Sequence, residues 1–200
     1  MNSGIGVLRS NMEADSGKKS LGAFYTPLEI ASEINQRLIR YWIDGENEIS
    51  NTPFEFKIWA EKFNRFDRLQ KNNLINRLNQ LRISDPGVGG GAFILTMLPI
   101  LERLYQVLFG TNVRTIEERI GMVQKHIWGW DISEDAIEVT LRCVTRWILG
   151  LPVYHAESSQ DHQTALLQNA LDPKDLHIYH RIKSQFAVKD FLSIRDSVTL

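Results

Sequence analysis

The stretch "ISDPGVGGGAFIL" (residues 83–95) sets four glycines into five positions, Gly87 to Gly91, with only Val88 between them. Glycine at that density costs backbone entropy and packs nothing, so this backbone must pass close to a neighbour. A short apolar piece, "LRIS" (81–84), comes before it. A run that is apolar on all sides, from Ala92 to Leu101, comes after it. The sequence therefore reads as strand, tight loop and buried helix. Pro99 predicts a kink in that helix, and Gly110 closes it.

Working outward toward the C-terminus, Thr115 and Glu118 form a capping box for a short helix ending near Gln124. "HIWGW" (126–130) reads as a second strand, ended by Asp131. Ser133 then caps a helix with Glu134 and Asp135 in its first turn and a core face of Ile137, Leu141, Val144 and Ile148. Gly150 and Pro152 stop it. Residues 153–176 are loop and short helix. "QFAV" (185–188) is a third strand, with Asp190 just past its end. Strand and helix alternate, which predicts a parallel sheet in a doubly wound α/β domain.

Toward the N-terminus, residues 1–20 read as a flexible lead-in. Residues 21–80 form a helical part, and 81–200 carry the sheet. Thr26, Pro27 and Glu29 give a helix start signal, followed at helical spacing by Ile30, Ile34, Leu38 and Tyr41 as the expected core face. Thr52, Pro53 and Glu55 repeat the signal for a helix reaching Leu81, with a break expected near Asn72 and Asn73. Residues 54–82 hold seven Lys/Arg against three Asp/Glu, an excess suited either to phosphates or to a solvated face.

Composition narrows the function classes. The 200 residues carry a net charge of −1, so whole-chain charge points to no polyanionic partner. A single cysteine, Cys143, excludes an internal disulfide and a cysteine-based zinc site. His177 and His180 lack an acidic ligand set, so no metal is expected. The N-terminus has no apolar signal region, and no stretch is expected to span a membrane, which together point to the cytoplasm.

Asp85, Asp131 and Asp190 each fall at a carboxyl strand end, where ligands of open α/β sheets bind. Gly87 to Ala92 fits the dinucleotide pattern G-x-G-x-x-G/A. That pattern alone leaves an NAD(P)-dependent oxidoreductase as an alternative. Yet the ribose-binding acid belongs about 20 residues onward, and Asp131 comes 46 residues after Asp85. The Lys-Ser/Thr of a P-loop is also missing. S-adenosylmethionine fits better: glycines beside a methionine-like moiety, one acid for the ribose hydroxyls and another for the adenine amine.

These blocks resemble the N6-adenine DNA methyltransferases of restriction–modification systems. "GAFYTP" (22–27) is similar to that family's upstream cofactor motif, which implies that Tyr25, Thr26 and Pro27 hold the methionine end. "DPGVGGGAF" (85–93) resembles its glycine motif, implicating Asp85, Pro86, Gly87, Gly89 and Gly91. "GWDIS" (129–133) resembles its ribose motif, with Asp131 on the hydroxyls and Ile132 against the adenine. "KDFL" (189–192) resembles its adenine motif, with Asp190 toward the amine and Phe191 on the ring. Val88, Gly90 and Gly87 stand where the family usually has Cys, Ser and Ala, which predicts a looser loop.

The resemblance implies a partial doubly wound, Rossmann-like methyltransferase domain with a helical N-terminal part. It also implies double-stranded DNA as the partner through a longer parent, together with restriction or specificity subunits. The family's Asn-Pro-Pro-Tyr/Phe catalytic loop has no counterpart: the chain has no Pro-Pro, and "NTPF" (51–54) reads as a helix cap. No catalytic residue is assigned, and the chain alone is expected to bind cofactor weakly or not at all and to transfer no methyl group. A non-enzymatic, degenerate methyltransferase-like subunit is the other alternative.

Overall fold

The computed structural model describes residues 26–44, 55–110, 115–155 and 162–190. In chain order these form α1 (Leu28–Asp44), α2 (Phe56–Asn64), α3 (Arg68–Gln80), β1 (Ile83–Asp85), α4 (Ala92–Phe109), α5 (Ile116–His126), β2 (Ile127–Asp131), α6 (Glu134–Leu149), α7 (His162–Gln168), α8 (Leu176–Ile182) and β3 (Phe186–Val188), with two 3-10 turns flanking α8. Tyr25, Thr52, Pro53, Phe191, the lead-in and the "NTPF" stretch lie outside the described residues.

The three strands form one parallel sheet in the order β1-β2-β3. That is the order of one half of a doubly wound sheet. Asp85 stands level with Gly129, and Asp131 with Val188. The acids at the strand ends are therefore staggered rather than equivalent. Asp131 lies two residues beyond Asp85, about 6.6 Å further along the strand direction.

Cap chemistry sets the helix boundaries in the sheet region. Thr115 and Glu118 make the reciprocal capping box of α5. Ser133 accepts the Ala136 N–H at the start of α6. Gly110 and Gly150 end α4 and α6 in the left-handed conformation. The predicted α6 face (Ile137, Leu141, Val144, Ile148) is buried. The α4 helix, 18 residues, is long and apolar enough by length and composition to cross a membrane, contrary to the expectation from the sequence. Here Ile94, Met97, Leu98, Leu101 and Leu104 are buried in the core.

The N-terminal part departs from expectation in two places. Ile30, Ile34, Leu38 and Tyr41 do not face the core; their exposures run between 39% and 52%. The α1 helix instead buries Ala31, Asn35, Ile39 and Ile43. Asn35 decides this orientation, because its buried amide donates to the Phe93 carbonyl at 2.6 Å and to Thr96 Oγ1 at 2.8 Å on α4. The second departure is the helix break, which falls at residues 65–67 and not at Asn72–Asn73. Asp67 caps α3 there by a capping box with Gln70.

Candidate functional site

The glycine loop runs from the end of β1 over the end of β2. Asp85 Oδ1 accepts the Gly87 N–H at 3.1 Å, which turns the chain out of the strand. The Val88 N–H donates to the Trp130 carbonyl at 2.9 Å, and the Gly91 N–H to the Val88 carbonyl at 2.7 Å. The Gly89 N–H donates to Asp131 Oδ2 at 2.9 Å. Thr140, from α6, donates to the Gly89 carbonyl at 3.1 Å. The loop is thus tied to β2 and α6.

The glycines are not equivalent. Gly89 and Gly91 have positive φ (51° and 85°), a region that side chains other than glycine enter at a cost. A Cβ on Gly91 would also stand 3.0 Å from Thr140 Oγ1. Gly87 is different: among the described residues, nothing beyond its chain neighbours lies within 4 Å of its Cβ position. Sequence reasoning missed Gly129, in the middle of β2. A Cβ there would meet Val88 Cγ1 at 2.6 Å and Phe186 Cδ1 at 2.8 Å. Gly129 therefore lets the loop and β3 close over β2. The signal available was a glycine inside a strand, which marks close approach of another group.

Asp131 is the hub of the site. Its two carboxylate oxygens accept the N–H groups of Gly89 and Ser133, each at 2.9 Å. Its carbonyl accepts the Lys189 N–H at 2.8 Å, carrying β3 past the strand end. A carboxylate has about four lone-pair sites, so each oxygen keeps one for a further donor. Ile132, beside it, is 62% exposed. Asp190 is exposed two residues past β3.

Asp85 is the strained group. Its Oδ2 is buried and has no hydrogen-bond partner among the described residues. Burial, with a smaller contribution from the Asp131 charge, pushes its carboxyl above the usual range, against the Gly87 hydrogen bond that lowers it. Gly91 precedes α4 with no side-chain cap on the helix, leaving the positive end of the helix dipole at the loop. Thr26 and Pro27 stand ahead of α1, and among the described residues no hydrogen bond joins them to the loop.

The fold and site thus define an α/β chain with a three-stranded parallel sheet and a glycine loop fastened across its carboxyl ends. Comparison with curated proteins finds a Methanocaldococcus jannaschii protein named "Putative type II restriction enzyme and methyltransferase", 31% identical over 143 residues. The match covers 64% of this chain, and the chain spans 12% of that protein's length. The likeness is thus to a small part of a protein named for restriction and methyl transfer. No family model matches the chain, and no solved structure matches it.

Proposed function

We propose that this chain is the S-adenosylmethionine-holding part of a site-specific DNA adenine-N6 methyltransferase of a restriction–modification system, with methyl transfer carried out by a longer parent protein. The observation that carries this reading is the buried Oδ2 of Asp85, unpartnered among the described residues, one strand away from an Asp131 that holds the glycine loop in place. A buried carboxylate oxygen with no donor costs free energy unless a ligand supplies one. The α-ammonium group of a methionine moiety is such a donor.

The residues fit the cofactor's parts. Asp85 takes the ammonium group, with Pro86 and Gly87 shaping the turn beside it. Gly89 and Gly91 bring bare backbone close, and the uncapped start of α4 suits the carboxylate. Asp131 uses its spare lone pairs for the ribose hydroxyls, and exposed Ile132 offers an apolar surface to the adenine. Asp190 and Phe191 serve the adenine amine and ring, and Tyr25, Thr26 and Pro27 the methionine end. When bound, the cofactor supplies a methyl group on a positively charged sulfur, open to attack by the amine of an adenine flipped from the duplex. The cytoplasm and double-stranded DNA are the setting and the partner that this reading implies.

The test is an amide NMR titration of the 200-residue chain with S-adenosylhomocysteine and, separately, NAD. Weak binding still moves resonances in this experiment. Shifts at Gly87, Gly89, Asp131 and Ile132 with S-adenosylhomocysteine alone are expected. Shifts with NAD alone would replace this reading by the oxidoreductase one. Methyl transfer to unmethylated DNA by the isolated chain would overturn the need for a longer parent.

A further inference from the structure

The segment from Arg65 to Arg82 holds five cations and one acid, in a chain whose net charge is −1. The acid, Asp67, is committed to capping α3, where its carboxylate accepts the Gln70 N–H. The α3 helix itself has no acid and buries only Leu74 and Leu78. Beside Arg68, Leu69 and Arg77, its exposed surface is carboxamides, Asn72, Asn73, Asn76, Asn79 and Gln80 among them.

The cations sort into two groups. Arg77 lies 5.0 Å over the Trp42 ring and donates to the carbonyls of Trp42 and Ile43. It is a packing residue that fastens α3 to α1. Arg65, which caps the end of α2, and Arg68, which starts α3, are exposed and make no ion pair among the described residues. Lys71 stands beside them, 5.4 Å over the Phe63 ring. At the other end of the helix, Lys125 reaches Asn79 Oδ1 at 2.6 Å, and Arg82 lies over Trp128. Cations therefore bracket the carboxamides along a helix that is about 20 Å long, the rise of its thirteen residues.

The geometry points to this α3 face as a contact surface for the phosphate backbone of duplex DNA, with Arg65 and Arg68 as the principal phosphate partners. Arginine, lysine, asparagine and glutamine are the side chains that bond phosphate oxygens. Twenty ångströms is the axial length of about six base pairs at about 3.4 Å each. An acidic protein is a poorer fit, because stable protein interfaces need an apolar centre, and Leu69 is the one large apolar side chain mostly exposed on α3. The surface would position the duplex without reading its sequence. The inference rests on the reading of DNA as substrate and adds where this chain touches it.

The experiment is fluorescence anisotropy of a labelled duplex with the whole 200-residue chain over a salt series. Each lost phosphate contact lowers the log–log salt slope by about 0.9. R65Q/R68Q is expected to lower the slope by about two and low-salt affinity by about tenfold or more. R65K/R68K is expected to retain most of both. R37Q/K174Q removes the same charge elsewhere on the surface and should change neither. Circular dichroism melts confirm that the variants are folded. The inference is overturned if the wild-type chain does not bind duplex at the lowest salt, or if R65Q/R68Q binds like the wild type. It is also overturned if R37Q/K174Q loses as much, or if polyglutamate displaces the chain as well as unlabelled duplex does. The cofactor titration reports on the glycine loop and not on α3, so the two readings fail separately.

Discussion

The Gly89 N–H and Asp131 Oδ2 meet at 2.9 Å across 42 positions of sequence, and that bond turns a glycine-rich stretch into a fixed loop. The same carboxylate holds Ser133 at the start of α6. Asp131→Ala frees two N–H donors at once. Hydrogen bonds to a charged acceptor are worth about 1.5–3 kcal/mol each, and partial exposure trims this. A loss of about 2 kcal/mol in urea unfolding is expected, together with loss of S-adenosylhomocysteine shifts. Asp131→Asn keeps one acceptor oxygen and should lose less stability. Equal stability of Asp131→Ala and wild type would show that the loop is held by other means.

In the proposed cofactor site, Asp85 trades stability for a binding group. Its folded pKa lies above the ordinary value of 3.8, chiefly through burial. The sign follows from linkage: the native state favours the protonated acid, so its contribution is present below the unfolded pKa and lost as pH rises through the folded one. At neutral pH the ionised carboxylate is a cost. Asp85→Asn keeps an oxygen for the Gly87 N–H and removes that charge. It is expected to raise the melting temperature at pH ~7, while abolishing the shifts at Gly87 in the cofactor titration. A lower melting temperature with unchanged titration would refute both roles.

Two glycines separate space from conformation. Gly129→Ala drives a methyl group into Val88 and Phe186, and overpacking of this kind costs about 1–3 kcal/mol. Gly87→Ala meets nothing beyond its chain neighbours within 4 Å among the described residues, and Gly87 has no positive φ. It should be neutral or stabilise by up to about 1 kcal/mol through the unfolded chain. Val88→Ala added to Gly129→Ala should recover part of the loss, because it removes the closer clash. Chemical denaturation of the three variants checks the ranking.

The sheet region was legible in the sequence because local chemistry marks each boundary. Thr115, Ser133, Gly110 and Gly150 do in the structure what their residue types predict. The loop's anchorage was not legible, since it depends on Asp131 and Thr140 arriving from far along the chain. In α1 the periodicity was right and the face was wrong. Apolar residues recur on two sides of that helix, and the buried side is fixed by Asn35 reaching a backbone carbonyl of α4. A polar residue rarely marks a core face from sequence alone. The α2–α3 break was misplaced because Asp67 and Gln70 form a capping box in less familiar residues than Thr and Glu.

His126 shows what the same reading says about pH. It is fully buried at the end of α5. Nδ1 lies 2.9 Å from the Leu81 carbonyl, which can only accept, so Nδ1 carries the proton. Nε2, 2.8 Å from the Tyr105 hydroxyl, then accepts. Burial first, then the Lys125 and Arg82 charges, push the imidazole pKa below its ordinary 6.5, against the Leu81 hydrogen bond. The native state therefore favours the neutral ring. Its contribution is complete above the unfolded pKa of about 6.5 and is lost as pH falls from there toward the folded value. Urea midpoints measured between about pH 5 and 8 should fall on the acid side in wild type, and His126→Gln should flatten that limb. Tyr105→Phe should cost about 1–3 kcal/mol at neutral pH by leaving Nε2 unpaired. An acid limb identical in wild type and His126→Gln would assign the pH dependence to other groups.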